Sequence, residues 1–481
     1  MRRTKIVATM GPATNTPESI EALVRAGVDV VRLNFSHGTL EEHAARAQMV
    51  RDAAHKVGRT VGILGDLQGP KLRIASFKAG KIQLSPGDEF TLDPDWDDQA
   101  GDNTRVGLGY KELADDVAAG DELWLDDGRM VLSVTAVEGR AIHTRAVNAG
   151  VLSNNKGLNR RGGGLSAPAL TEKDREDIRI AAEINVDFLA VSFPRCADDM
   201  HLARRLLEEA GGHASMVAKV ERAEAVEQPV MDEIILASDV IMVARGDLGV
   251  EIGDAKLPLA QKSLIKRSRE LNRAVITATQ MMETMITNTI PTRAEVFDVA
   301  NAVLDGTDAV MLSGETAVGN HPDRVVEIMA GLCEEAERAI VVRHSDHRIE
   351  ERFLRIDEGI AMATMYAANH MGVRAIAALT ESGATPLWMS RISSGIPIYA
   401  LTSNEEASRR VSVYRGVYPV MQDDLTGSDP KLANREAVEL LISEGVVDPG
   451  DLVVITKGDL MGIEGHTNQL KILRVGEHHK G

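Results

Sequence analysis

Several polar residues in this 481-residue chain fall at alternate positions just after apolar runs. Arg32, Asn34 and Ser36 form one such set, followed by His37. Lys219 and Glu221 form another, and Thr277 and Thr279, followed by Gln280, a third. Residues two apart in a strand share a face, so each set points one way. Polar groups on a buried face are costly unless partnered. Each set is therefore either a satisfied structural network or a site. Read as a site, Glu221 would join Asp247, from the run Arg245-Gly246-Asp247, as a pair of carboxylates. Two carboxylates completed by substrate oxygens and water suit Mg²⁺. Lys219 beside them would stabilise charge on a phosphoryl group in transfer. The structural alternative is a buried Lys219–Glu221 ion pair, whose attraction rarely offsets its desolvation. Arg32 would contact phosphate, with Asn34 and Ser36 supplying oxygens to a cation. Gly246 and Asp247 read as the opening of a short helix whose N–H groups would hold a carboxylate. Thr277, Thr279 and Ser313-Gly314-Glu315-Thr316 add hydroxyls that would relay a proton or bind a carboxylate, unless they are simply core.

Such residues need a frame that brings strand ends together. A helix-like segment, a turn, an Asp and an apolar run recur at Asp29 (DVVRLNFS), Asp187 (DFLAVSFP), Asp239 (DVIMVARG) and Asp308 (DAVMLSGE). Similar runs at 5–9, 61–66, 216–221 and 274–279 bring the total to eight. Near-continuous apolar strands alternating with helices indicate a parallel sheet buried on both faces. No G-x-G-x-x-G follows the first strand, so a (β/α)₈ barrel fits better than a doubly wound sheet, with its site at the strands' C-terminal rim. Helix signals agree: Thr16-Pro17 opens one helix that Gly27 stops, and Thr292 with Glu295 forms a capping box ahead of Val296, Val299 and Val303. From about residue 73 to 164 the helix signal gives way to short strands and turns such as Pro86-Gly87-Asp88 and Asp126-Asp127-Gly128. The expected organisation is an α/β (β/α)₈ barrel over 1–70 and 165–344, a small β-barrel lid domain inserted at 71–164, and a C-terminal α/β domain over 345–481.

A formal net charge of −18 disfavours nucleic acid and anionic membranes as partners and requires any phosphate site to be locally basic. Two cysteines, Cys196 and Cys333, far apart and in unlike contexts, argue against a disulfide framework or zinc site. Arg2 and Arg3 follow Met1 at once, and no apolar stretch is long enough to span a bilayer. The expectation is a cytoplasmic protein.

In this order, the stretches TKIVATMGPAT, VRLNFSHG, IMVARGDLGVEI, TATQMMETM, PTRAEVFDVANAVLDGTDAVMLSGETA and GHTNQLKILRVG resemble the pyruvate kinase family over nearly the whole chain. The resemblance implies phosphoryl transfer from phosphoenolpyruvate to ADP, giving pyruvate and ATP. It implies that Glu221 and Asp247 ligate Mg²⁺, with Mn²⁺ the alternative. Lys219 would stabilise the phosphoryl group, Arg32 would contact phosphates, and Arg73 would sit at the mouth of the inserted domain. The N–H groups of Gly246 and Asp247, with Thr279, would hold the substrate carboxylate, and Thr279 and Ser313 would lie where a proton reaches the enolate. Pro12, Asn34, His37, Arg73 and Lys156 match nucleotide-binding positions. A homotetramer and a phosphorylated allosteric effector are further implications. Two other functions remain on the table: a catalytically silent regulatory paralogue, and a lyase of phosphoenolpyruvate chemistry that needs no ADP.

The chain departs from the family pattern in two places. Where many members read D-T-K-G-P-E and hold K⁺ through positions matching Asn34, Ser36, Asp66 and the next carbonyl, that of Leu67, this chain reads Asp66-Leu67-Gln68-Gly69-Pro70-Lys71. The Lys71 ammonium would supply the positive charge of K⁺, so K⁺ is not expected to be required; the alternative is that Lys71 faces solvent and K⁺ still binds. At the return from the inserted domain, Lys156-Gly157-Leu158-Asn159-Arg160-Arg161-Gly162-Gly163 lacks the family's Pro and gains two Arg, which bears on hinge stiffness and lid closure. Thr380, Ser382, Gly383 and Thr385 resemble the family's effector phosphate loop, or else form an ordinary polar turn.

Overall fold

The computed structural model describes residues 1–70, 72–339, 352–422, 430–459 and 465–477. Lys71 and the expected boundary at 344/345 lie outside the described residues.

Eight parallel strands close into a barrel in which every strand pairs with its neighbours in sequence. They are Lys5–Thr9, Val30–Asn34, Gly62–Asp66, Phe188–Ser192, Ser215–Val220, Val240–Ala244, Ala274–Ala278 and Ala309–Leu312. Alternation along each strand feeds two separate cores. Ile6 and Ala8 turn outward to pack with Leu23, Val326 and other helix residues. Val7 turns inward with Val30, Leu64, Phe188, Val217 and Met242. The helices begin and end where their punctuation places them. Thr16 caps Pro17–Ala26 by accepting the Ser19 amide, and Gly27 closes it in the left-handed region at φ +113°. Thr292 and Glu295 make the capping box of Arg293–Asp305.

The segment between the third and fourth barrel strands carries its own hydrophobic core, with Phe90, Leu123, Leu132 and Ile142 at its centre. Its strands form a six-stranded sheet and a two-stranded one, tied to the connecting segments by isolated bridges such as Arg73–Gly157 and Ile74–Leu108. After the barrel, a five-stranded sheet runs in the order Val417–Met421, Ile398–Thr402, Ala375–Leu379, Leu452–Gly458, Thr467–Arg474, with the last strand antiparallel. Met365, Ile376, Ile398 and Val454 of this domain join the inward core of the barrel in one continuous cluster. No described helix is long and apolar enough to cross a membrane.

Candidate active site

The inward alternation that buries Val7, Leu64 and Val217 brings Thr9, Asp66 and Lys219 to the C-terminal rim two residues later. Arg32 follows Val30 and Ser192 follows Ala190 on the same face. These five side chains form one network. Arg32 Nε lies 2.5 Å from Asp66 Oδ2, and its Nη1 donates to Thr9 Oγ1 at 3.2 Å. Lys219 Nζ donates to Ser192 Oγ at 2.8 Å and lies 3.4 Å from Asp66 Oδ1 and 3.0 Å from Glu221 Oε1. Burial alone would push the Asp66 carboxyl up, but Lys219 and Arg32 outweigh it and hold the group below its ordinary value. Burial would likewise depress Lys219, and Asp66 and Glu221 reverse that, keeping it a firm ammonium.

Glu221 sits one residue past its strand and is 1% exposed. Its Oε2 accepts the amide of Phe193, whose backbone turns into the left-handed region at φ +55°. Burial pushes the Glu221 carboxyl up to about 7, against the pull of Lys219 and with the help of the Asp247 charge. Asp247 is also raised, by burial first and then, against Lys219, by Asp127. It stands in the first turn of the helix Arg245–Ile252. Arg245 turns the other way and is structural: Nε donates to Ala278 O at 3.1 Å and Nη1 to Asp298 Oδ1 at 2.6 Å. Among the described residues no group of three or more His, Cys, Asp or Glu is placed to hold a metal alone. A buried carboxylate and a half-buried one that resist sharing their negative charge do fit a divalent ion completed by substrate oxygens and water.

The expectation that Thr277 and Thr279 share a face is not met. Thr277 is buried on the outward side, where its hydroxyl meets Thr307 Oγ1 at 3.0 Å. Thr279 lies just beyond the strand at φ +67°, which breaks the alternation and swings its side chain to the rim. There its Oγ1 accepts the Gly246 amide at 2.9 Å. Ser313 also follows its strand directly, and its amide donates to buried Glu315 Oε2 at 2.6 Å. Glu315 Oε1 accepts the Met282 amide at 3.2 Å, so one carboxylate ties the rims of the seventh and eighth strands together.

Between this rim and the inserted domain lies a cleft of about 620 Å³. Ser36, Gln68, Lys219, Glu221 and Asp247 line it from the barrel, while Arg73, Asp127 and Lys156 face them from the insert and its connections. Lys156 Nζ is held 2.7 Å from Asp126 Oδ1. Asn34 keeps its Oδ1 on the Ser36 amide at 3.1 Å. Pro12, in the short 3₁₀ turn Pro12–Thr14, and His37 are exposed and do not line the cleft. Leu67 is buried, and its carbonyl accepts Ser192 Oγ at 2.7 Å. The return from the insert owes its shape to Gly162, Gly163 and Gly164, all at φ between +78° and +87°. The two extra arginines brace it: Arg160 bonds Asp121 at 3.0 Å, and Arg161 bonds Glu122 at 2.9 Å. Far from the cleft, Thr380 Oγ1 accepts the Gly383 amide at 2.9 Å, while Thr385 is buried against Thr467. Ser382 O accepts from Arg410 Nη1 at 3.2 Å.

Sequence reasoning missed Thr9, Ser192, Phe193, Asp127 and Glu315. Ser192 and Thr9 carried a usable signal, since each ends an apolar strand on the inward face. Asp127 and the Phe193 amide carried none, because their roles arise only when separate loops meet.

The family model for the pyruvate kinase barrel domain matches residues 1–326, and that for the pyruvate kinase alpha/beta domain matches residues 358–473. The chain belongs to the pyruvate kinase family. Pyruvate kinase II of Salmonella typhimurium is 57% identical over 477 residues, covering 99% of each chain. The pyruvate kinase of Haemophilus influenzae is 56% identical over 460 residues, covering 95% of this chain and 96% of its own. A crystal structure of a pyruvate kinase from Cryptosporidium parvum superposes with a TM-score of 0.92 at 34% identity, covering 98% of this chain and 96% of that one. The pyruvate kinase fold therefore spans barrel, insert and C-terminal domain alike.

Proposed function

We propose that this chain transfers the phosphoryl group of phosphoenolpyruvate to ADP, giving pyruvate and ATP, as a step of glycolysis in the cytoplasm. The observation that carries the reading is the half-buried ammonium of Lys219, 3.0 Å from Glu221 and 3.4 Å from Asp66, facing the cleft that Asp247 also lines. Glu221 and Asp247 would hold Mg²⁺, or Mn²⁺ in its place. The ion, when bound, neutralises charge on the phosphoryl oxygens. Lys219 supplies a second positive charge to the group in flight, and Arg32 a third at the phosphate. The amides of Gly246 and Asp247, with the Thr279 hydroxyl, hold the substrate carboxylate at a helix N-terminus. The P–O bond to the enol oxygen breaks as a bond to the terminal oxygen of ADP forms, leaving an enolate. A proton then reaches its methylene carbon through water ordered by Thr279 and Ser313. Arg73 and Lys156, across the cleft, would face the nucleotide phosphates, while Asn34, His37 and Pro12, outside its lining, would meet the nucleotide only beyond the cleft.

K⁺ is not required in this reading, because Lys71 provides its charge and Asp66 already serves two cations, Arg32 and Lys219. Pyruvate release from phosphoenolpyruvate with ADP and Mg²⁺ is the test, run with Na⁺ or K⁺ as the only monovalent cation. Equal high rates are expected. Activation by K⁺ of tens of fold would overturn the K⁺ reading and keep the kinase. Pyruvate release without ADP would point to a lyase, and no release at all to a silent regulatory paralogue. The active form is a homotetramer, checked by light scattering. A phosphorylated effector would engage Thr380, Ser382, Gly383 and Thr385, checked by loss of activation in Ser382→Ala.

A further inference from the structure

The seam between the floor of the barrel and the C-terminal domain gathers four guanidinium groups, those of Arg3, Arg269, Arg391 and Arg415. Two carboxylates face them among the described residues. Asp308 pairs with Arg391, both side chains being 1% exposed, and also accepts the Arg415 amide at 3.0 Å. Glu337 lies 3.5 Å from Arg3 Nε and accepts the Arg3 amide at 2.9 Å. Among the described residues, Arg269 and Arg415 have no carboxylate in ion-pair contact. Arg269 Nη2 donates to Arg391 O at 3.0 Å and to Ser393 Oγ at 3.1 Å. Arg415 Nη1 donates to Val303 O at 3.0 Å and Thr307 O at 3.1 Å, while its buried Nη2 has no partner. Burial, with repulsion from Arg391 and Arg415, pulls the Arg269 guanidinium down to about 10, and burial lowers Arg415 as well. A guanidinium does not give up its proton in a protein. Among the described residues, two positive charges thus stay in a sheltered place with no carboxylate in contact, Asp308 and Glu337 acting on them only from a greater distance.

Both arginines line a cavity of about 40 Å³, together with Arg3, Gly306, Ser393 and Ser394. A single water needs roughly 10–15 Å³ on this measure, so the space admits an ion of a few heavy atoms. Gly306 is part of the construction: it stands at φ +95°, and a Cβ there would overlap the Arg269 guanidinium. Guanidinium forks match tetrahedral oxyanions, and a phosphate of charge about −2 equals the two unpaired positive charges.

We propose that this seam is a phosphate-binding site, in which Arg269 and Arg415, assisted by the Ser393 hydroxyl, hold inorganic phosphate or the phosphoryl end of a small monoester. It is distinct from the catalytic rim, since Arg3 precedes the first barrel strand and so marks the opposite end of the barrel. It is also distinct from the loop 380–385. That loop follows the strand Ala375–Leu379, whereas the cavity meets Ile396 and Ile398, at the start of the parallel strand Ile398–Thr402. Bound here, the anion bridges barrel and C-terminal domain and stabilises their association.

The test is a thermal-shift titration of the full chain with inorganic phosphate, with glycerol 3-phosphate and with chloride at matched ionic strength. It is run on the wild type, on Arg269→Gln, and on Arg269→Lys, which keeps the charge but loses the fork. The T380A/S382A double variant serves as a background without the effector loop. The expected result is a saturable rise in Tm with phosphate or the monoester and not with chloride. Both Arg269 variants should weaken that binding by about ten-fold or more, in either background. A monoester that binds more tightly than phosphate identifies a metabolite's phosphoryl group as the ligand, and equal binding identifies the free ion. An unchanged titration in Arg269→Lys, or an equal effect of chloride, overturns the proposal. If Arg269→Gln fails to fold, the lysine variant alone decides.

Discussion

Thr279 accepts the Gly246 amide across the barrel rim, N to Oγ1 2.9 Å, from a backbone held at φ +67°. A β-branched residue in the left-handed region is strained by about 1–3 kcal/mol and persists only where its surroundings insist on it. The contact sets the hydroxyl beside the N-terminal turn of the helix, where it would share a substrate carboxylate with the Gly246 and Asp247 amides. Thr279→Ala is expected to lower kcat/KM for phosphoenolpyruvate by about a hundred-fold. Thr279→Ser should stay within about ten-fold of wild type, and Thr279→Gly should lose activity without losing Tm, because it removes the strain with the hydroxyl. Steady-state kinetics and thermal melts on the three variants check this.

Lys219 holds three buried neighbours in place at once: Asp66, Glu221 and the Ser192 hydroxyl. Lys219→Met leaves Glu221 without its cation in a sheltered site and Asp66 with Arg32 alone. Breaking a buried pair from one side costs about 3–5 kcal/mol, and the variant should melt lower by a corresponding amount. Its kcat should fall by roughly a thousand-fold. Urea unfolding, read beside turnover, separates the two losses.

Glu221 and Asp247 are the carboxylates proposed to hold a divalent ion at the rim. Glu221→Gln keeps the shape and the contact with the Phe193 amide while removing the charge. Binding of Mn²⁺, followed by electron paramagnetic resonance, should weaken by about ten- to a hundred-fold. Unchanged Mn²⁺ binding would remove Glu221 from the metal site.

Glu251 is 2% exposed and accepts the Ala223 amide at 2.8 Å. Burial raises its carboxyl from 4.5 to about 7, with the Ala223 amide and Arg222 opposing and Glu224 adding. The folded protein therefore holds a proton that the unfolded chain releases. Its contribution to stability is full below about pH 4.5 and is lost as pH climbs through about 7. Glu251→Gln, which cannot ionise, should flatten the fall in stability between pH 5 and 8 and should be the more stable protein at pH 8. Equal pH slopes for the two proteins in urea unfolding would refute the assignment.

Much of this architecture was legible because a parallel barrel buries each strand on both faces. Its strands then read as apolar runs, and a polar residue at the end of one stands out. Lys219, Glu221, Arg32 and Asp247 stand out that way, and the fold gathers them at one rim. Thr277 misled the same argument, because the left-handed turn at Thr279 has no signature in a Thr-Gln pair. The partners of the site were harder to see. Asp127 approaches Asp247 from more than a hundred residues away in sequence, and the Phe193 amide that holds Glu221 is a backbone group no side-chain pattern reports. The phosphate seam was invisible for a related reason, since its arginines come from four separate segments.

The inward core of the barrel does not end at its floor. Val7, Val217 and Met242 share one apolar cluster with Met365, Ile376 and Val454 of the C-terminal domain, while the inserted domain keeps a core of its own. Barrel and C-terminal domain are consequently one cooperative unit, which heat or denaturant should melt in a single step. The insert packs as a module of its own, so its interior can vary in sequence without disturbing the packing beneath the catalytic rim.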